Sequence, residues 1–485
     1  MVAVGNVALG TIHDWVPESG SVVSWQPSPT ALAKARQAPI SAVPTGYMQA
    51  QHIRGYCEHA ALGRDMSRLL IAAWDIPGQC DIRAMTYVLN AHLCRHDTFH
   101  SWFELTDEER VIRHTIREPA DIALVPTQHG EMTPAEWRSL ILATPNPLQW
   151  DCFRFLLIQR ADHFKFCVCI DHLNVDAMFV GVAFTEIHMM YTTLVGGRAP
   201  MRLPEAGSYH DYCVRQHEYT SALTVNSPEV RAWIEFFEIN GGTLPRCSLS
   251  LGDGSLSLSD GSMPCDLMAA RLMDEGQTAR FDDECLAAGV RFSGGVFACA
   301  AFAEYELTGA ETYYGLCPID IRRIPADFMT TGWFIGFVPI GVPVASSFSE
   351  TARAAQASFD SGRDLANVPL DRVLELAPWL NRPQRGAPLL FYLDAGIPPL
   401  SAMANSHLDG FNAGLYYDGG TQAQIDIRVN RLEKETQVIV LFPNNPIARE
   451  SVTRYIAALK SVYARVTERA TPSHLCATSS THYSL

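Results

Sequence analysis

Between Phe153 and Pro200 the chain changes its hydrophobic period in an order that few folds accommodate. Two apolar runs, Phe153 to Ile158 and Phe164 to Ile170, flank the polar turn Gln159 to His163 and read as paired strands. A short loop, Asp171 to Asp176, follows. From Ala177 to Leu194 the apolar residues return at helical spacing, until Val195-Gly-Gly-Arg-Ala-Pro200 stops the pattern. The loop therefore lies between a buried strand and the start of a long helix, and it carries His172 and Asp176. A histidine placed there can offer one ring nitrogen to a substrate while the other faces the backbone, which is the geometry of a general base. Asp176 can orient that histidine or turn away and brace the loop against an arginine. HxxxD alone is common, and a loop histidine without chemistry is its more frequent meaning.

The rest of the chain repeats the mixture. Helices are expected over Thr45 to Ala61, Asp81 to His96, Gln277 to Ala288, Gly294 to Leu307 and Ala448 to Thr467. Strands are expected over Arg68 to Trp74, Tyr313 to Ile319, Trp333 to Val344, Gln424 to Val429 and Gln437 to Phe442. The first thirty residues, with Pro17, Pro27 and Pro29, read as irregular. Gly241 to Pro264 reads as a loose loop, and its Gly252-Asp-Gly254 lacks the strand and helix that a phosphate cradle needs. Helices and strands mixed in both halves give an α/β fold class. At 485 residues the chain exceeds what one core supports, so two lobes are expected. Their connection is placed at Gly196 to Gly207, dividing an N-terminal lobe, 1–200, from a C-terminal lobe, 201–485.

Charge and composition exclude several functions. With 37 Lys and Arg against 52 Asp and Glu, the formal charge of -15 opposes binding to nucleic acid. The longest apolar runs fall well short of the roughly 20 residues of a membrane-spanning helix. Met1 to Trp15 has no basic start and places His13 and Asp14 where an export signal needs apolar residues. Thirteen cysteines without a CxxC pair suggest reduced thiols. Cys167 and Cys169 share one strand face and are expected to pack rather than bind metal. His96 and His100 with Asp97 could be imagined as a metal site, and a structural role is the better reading. A serine hydrolase is disfavoured because Ser293, in Arg-Phe-Ser-Gly-Gly, lacks the first glycine of GxSxG.

Five segments stand in order: Tyr47-Met-Gln-Ala-Gln51, Arg95-His96-Asp97-Thr98-Phe99, Asp171-His172-Leu-Asn-Val-Asp176-Ala177, Pro318-Ile-Asp320-Ile-Arg322 and Gly332-Trp-Phe-Ile-Gly-Phe-Val-Pro339. The series resembles the condensation-domain superfamily over nearly the whole chain. Ala35-Arg-Gln-Ala-Pro-Ile-Ser41, Met48-Gln-Ala-Gln-His-Ile-Arg-Gly-Tyr56, Pro147-Leu-Gln-Trp-Asp151 and Val214-Arg-Gln-His-Glu-Tyr219 resemble, more narrowly, the mycobacterial polyketide-associated acyltransferases of the trehalose-acylating subgroup.

That resemblance implies the two-lobed chloramphenicol-acetyltransferase-like fold, with an active-site channel between the lobes. It implies acyl transfer from a thioester, or from an acylated glycolipid, to a hydroxyl of trehalose or a trehalose ester in envelope glycolipid biosynthesis. His172 would be the general base, and Asp176 mainly structural, bridging to Arg322. Asn174, Gly332 and Trp333 would bind substrate or support the site. No metal and no resident cofactor are implied; the donor would be acyl-CoA or a carrier-protein thioester. A polyketide synthase or a lipid transporter are the further partners, in the cytoplasm or at the inner face of the membrane. The alternative is a non-catalytic or peptide-bond-forming condensation-type module. Two positions depart from the superfamily pattern: Asp171 stands where a second histidine is frequent, and Ala177 where a glycine is frequent.

Overall fold

The computed structural model describes residues 1–469 except 18, 200–201, 253–264, 383–386, 397–409 and 421–424. Asp253 and Gly254 of the glycine-flanked loop, and Gln424 of one expected strand, lie outside the described residues.

Among the described residues, two large sheets carry the chain. The first has eight strands in the order Val2–Val4, Val7–Thr11, Gly414–Tyr417, Leu69–Pro77, His163–Asp171, Phe153–Gln159, Gly20–Pro27 and Leu124–Met132. The second has six, in the order Cys265–Asp274, Glu435–Pro443, Asp426–Arg431, Leu389–Asp394, Thr312–Asp320 and Ile335–Pro343. A small hairpin, Ser101–Leu105 with Val111–Thr115, stands apart. One late strand, Gly414–Tyr417, is inserted into the first sheet between Val7–Thr11 and Leu69–Pro77.

The expected paired strands are an antiparallel pair at the centre of the first sheet. Alternation along His163–Asp171 explains its position: Phe166, Val168 and Ile170 enter one core, while Cys167 and Cys169 enter another with Ile71, Trp137 and Leu156. A strand apolar on both faces needs cover on both faces. Helices Ile82–Arg95 and Phe179–Ala183 cover one side and Pro134–Leu142 the other. Cys167 and Cys169 are free and buried, and burial pushes the Cys169 thiol up to about 12, so both act as packing groups.

The second sheet is covered in the same way. Phe292–Thr308 is nearly all apolar and lies buried among Glu275–Ala287, Phe348–Gly362 and Pro446–Arg469 on one face. Pro228–Ile239 and Leu370–Leu376 pack on the other. Among the described residues no single helix is long and apolar enough to cross a membrane.

The N-terminal segment differs from the sequence expectation. It holds three strands instead of irregular chain. Pro17 falls between strands and Pro27 ends one, so the prolines punctuate the sheet without interrupting it.

Candidate active site

His172 follows directly from the end of a central strand. Asp171 pairs with Leu69 in the ladder, and the backbone N–H of His172 continues it by donating to the Arg68 carbonyl at 2.7 Å. The backbone then tightens into a short turn over His172–Asn174. This fixes where the imidazole leaves the sheet.

The ring lies against Trp333, with centroids 4.4 Å apart. Its Nδ1 is buried and, among the described residues, has no partner outside its own residue. Burial lowers the pKa, a proton on His52 pushes the same way, and the residue's own backbone, Asp176 and Asp171 pull it only partly back, leaving it at about 4. The imidazole is therefore neutral near pH 7 and able to accept a proton.

Asp176 does not orient that ring. Its carboxylate accepts hydrogen bonds from the backbone N–H groups of Met178 and Phe334, each at 3.0 Å. It also pairs with Arg322, Nη1 lying 2.8 Å from Oδ2 and Nη2 donating to Oδ1 at 3.2 Å. Arg322 is buried and donates further to Asp320 and to the carbonyls of Asp327 and Thr330, with the Phe334 ring 4.2 Å from its guanidinium. The guanidinium opposes its own desolvation through the charges of Asp176 and Asp320, and its pKa is raised. The structure thus brings Asp176 and Arg322 together across the two lobes, 146 residues apart in sequence.

The other expected residues divide by position. Asn174 is buried behind the loop, donating to Cys152 Sγ at 3.3 Å and accepting from Thr98 at 3.5 Å, so it braces the turn. Gly332 packs on Tyr209, where an added Cβ would sit 2.2 Å from the ring. That close approach requires glycine and sets Trp333 in place, and the Trp333 carbonyl accepts from the Tyr209 hydroxyl at 3.3 Å. Trp333 is the one of these that touches the His172 ring. Ala177 is exposed and is absent from the non-glycine residues with positive φ, which are Glu109 and Asn412 among the described residues.

Two groups escaped the sequence reading. Asp171 is fully buried and accepts from His52 Nε2 at 2.7 Å, Arg68 Nη1 at 2.8 Å and the Leu173 N–H at 3.0 Å. Burial raises its pKa, but the charges and hydrogen bonds of those neighbours outweigh it and leave the carboxyl below its usual value. The His52 ring also meets Trp333 edge-on at 5.4 Å.

The second group is His92, His96 and Glu186. Their ligand-type atoms lie within 4.8 Å of one another. His92 Nδ1 and His96 Nε2 both lie 2.9 Å from Glu186 Oε2, and Arg95 donates to Oε1 at 2.9 Å. The carboxylate is saturated by these bonds, and the Thr331 N–H donates to His96 Nδ1 at 3.4 Å, tying the cluster to the segment that bears Trp333. The imagined trio of His96, His100 and Asp97 does not converge. His100 bonds the Leu93 carbonyl, and Asp97 caps the helix Tyr209–Ala222 by accepting from the Tyr209 N–H at 2.8 Å. The four-residue spacing of His92 and His96 was visible in sequence, whereas Glu186 reaches them from a π-helical turn, Phe184–His188, that periodicity does not reveal.

Comparison with known proteins places the chain in a family. Residues 68–389 match the condensation-domain family. Acyltransferase PapA3 of Mycobacterium tuberculosis is 55% identical over 469 residues, 96% of this chain and 98% of that protein. Trehalose-2-sulfate acyltransferase PapA2 of Mycobacterium bovis is 56% identical over 465 residues, 95% of this chain and 97% of its own length. A solved PapA2 acyl transferase superposes with a TM-score of 0.91 at 55% identity, covering 95% of this chain and all of that one. The condensation domain of the Monacolin K polyketide synthase MokA, 14% identical, shares the fold with a TM-score of 0.64, covering 88% of this chain and 99% of that one. The chain belongs to the condensation-domain family and, within it, to the mycobacterial polyketide-associated acyltransferases.

Proposed function

We propose that this protein transfers a long-chain acyl group from a thioester, or from an acylated glycolipid, to a hydroxyl of trehalose, a trehalose ester or a trehalose sulfate. The observation that carries the reading is the neutral imidazole of His172, seated where the lobes meet, beside an aspartate whose carboxylate is already committed to Arg322. The name of the trehalose-2-sulfate acyltransferase PapA2, 56% identical, supports the acceptor class.

In this reading His172 takes the proton of the acceptor hydroxyl as its oxygen bonds to the thioester carbonyl carbon. The tetrahedral intermediate then expels the thiolate, and the imidazolium returns the proton to sulfur. An ester and a thiol result. The step needs a base, a positioned hydroxyl and exclusion of water, and it calls on no resident cofactor. Asp176, Arg322 and Asn174 hold the loop, and Gly332 and Trp333 form its wall. A cytoplasmic enzyme working at the inner face of the membrane, supplied by a polyketide synthase and drained by a lipid transporter, fits a product of this kind.

The test offers purified enzyme one palmitoyl-like thioester with trehalose, glucose, an aminoacyl amine or a long-chain diol. Mass spectrometry is expected to find acylated trehalose. Efficient acylation of the amine or the diol, with trehalose untouched, would leave the family standing and sink the acceptor assignment.

A further inference from the structure

His52 belongs to none of the roles assigned above, yet it is built into the site with unusual care. Its side chain is only 7% exposed, and its Nε2 lies 2.7 Å from a fully buried carboxylate, Asp171, whose backbone is joined to that of His172. An ionised carboxylate only accepts, so Nε2 carries a proton, and in the neutral ring Nδ1 keeps its lone pair. Among the described residues Nδ1 has no hydrogen-bond partner. Asp171 is balanced by Arg68 through Oδ2, so a neutral His52 leaves no net charge in this cluster. Both His52 and His172 lie against the ring of Trp333, with centroids 5.4 and 4.4 Å away. A buried acid that fixes one nitrogen of an imidazole and leaves the other free is the arrangement by which enzymes aim a hydrogen-bonding group at a substrate.

We propose that His52 is a specificity-determining residue of the reaction centre, its Nδ1 accepting a hydrogen bond from a hydroxyl of the acceptor and so holding a neighbouring hydroxyl beside His172. This rests on the reading of His172 as the base. It names the substrate class more closely: an acceptor with at least two hydroxyls, one to be acylated and one to be held. A lone acceptor-type nitrogen selects for a polyol donor, because an ether or a methylated sugar offers it nothing. Asp171, in this arrangement, is a positioning residue acting through His52.

Glutamine separates function from structure at this position. The amide of His52→Gln can still donate to Asp171 from near the Nε2 position but places nothing at Nδ1. Circular dichroism and melting temperature should therefore match the parent. The catalytic efficiency for trehalose, with a palmitoyl thioester as donor, should fall roughly three- to tenfold, the weight of one neutral hydrogen bond, mostly through KM. The ratio of trehalose transfer to the slow hydrolysis of the same thioester without acceptor should fall with it. Unchanged trehalose kinetics in His52→Gln would overturn the proposal, as would an equal loss in transfer and hydrolysis.

A panel of monodeoxytrehaloses supplies the second measurement and needs no variant for its first half. One analogue, lacking a hydroxyl other than the acylated one, should lose the same three- to tenfold on the parent enzyme and nothing further on His52→Gln. Equal losses for every analogue on both proteins would also overturn it. His172→Ala, assayed in parallel, keeps the two readings apart: normal turnover there removes the base and leaves the acceptor KM of His52→Gln to be read on its own.

Discussion

Two buried aspartates bracket His172, and they anchor it to different parts of the molecule. Asp171 finds its hydrogen-bond partners, His52 and Arg68, within the N-terminal half. Asp176 reaches across to Arg322 and to the Phe334 N–H in the C-terminal half. Neither bonds the imidazole itself. The imidazole is thus positioned through backbone: one anchor ties the loop to the sheet from which it emerges, and the other ties it to the opposite lobe. Loosening the first should disturb the local geometry around the imidazole. Loosening the second should disturb the junction of the lobes as well.

The largest expected effect tests what both anchors serve. His172→Ala should remain folded and lose roughly a hundredfold to ten-thousandfold in transfer, the usual weight of a positioned general base. Near-normal turnover with intact circular dichroism would remove the base from the mechanism. Next come the partners of the second anchor. Arg322→Ala strands a buried carboxylate and should cost about 3–5 kcal/mol of stability by chemical denaturation. Asp176→Asn should also destabilise, and the double variant should fall well short of the summed losses because the two side chains share one interaction. Strict additivity would show that the bridge between the lobes carries no energy.

Acidity distinguishes the imidazole from its surroundings. The pKa of His172 in the folded protein is about 4, below the ordinary 6.5 that it regains on unfolding. Between those values the unfolded chain binds the extra proton more readily, so stability falls as the pH drops from 6.5 towards 4. His172→Ala should lose less stability than the parent across this window. The acid limb of kcat/KM assigned to His172 should lie near 4 as well, and a limb at 6.5 that disappears in His172→Ala would show the ring to be solvated.

Much of this was legible beforehand, for identifiable reasons. Long elements with strong periodicity, such as His163–Asp171 and Pro446–Arg469, were found within a few residues of their ends. The first three strands were missed because prolines between and at the ends of strands look the same in sequence as prolines that break them. At the site, His172, Asp176 and Arg322 were legible through a resemblance carried by ordered motifs. His52 and Glu186 were not. Each is placed by packing between distant segments, His52 against Asp171 across 119 residues and Glu186 against His92 across 94, and neither spacing leaves a local mark.

The smallest expected effect concerns the residue that follows the second anchor. Many members of the superfamily carry glycine there, and this chain carries Ala177. A glycine would be indispensable if the backbone were left-handed or if a substrate pressed against the position. The backbone condition fails, since Ala177 is not among the residues with positive φ, and its exposure leaves its methyl group unobstructed by the protein. Ala177→Gly should therefore gain nothing in turnover and lose about 0.4–1 kcal/mol of stability, because glycine widens the unfolded ensemble without relieving strain in the folded one. The measurement is a denaturation midpoint beside a steady-state assay. A severalfold rise in kcat would mean that the methyl group of Ala177 obstructs the acceptor, placing the substrate on the Asp176 side of His172 rather than the Asp171 side. That outcome would also move the held hydroxyl away from His52.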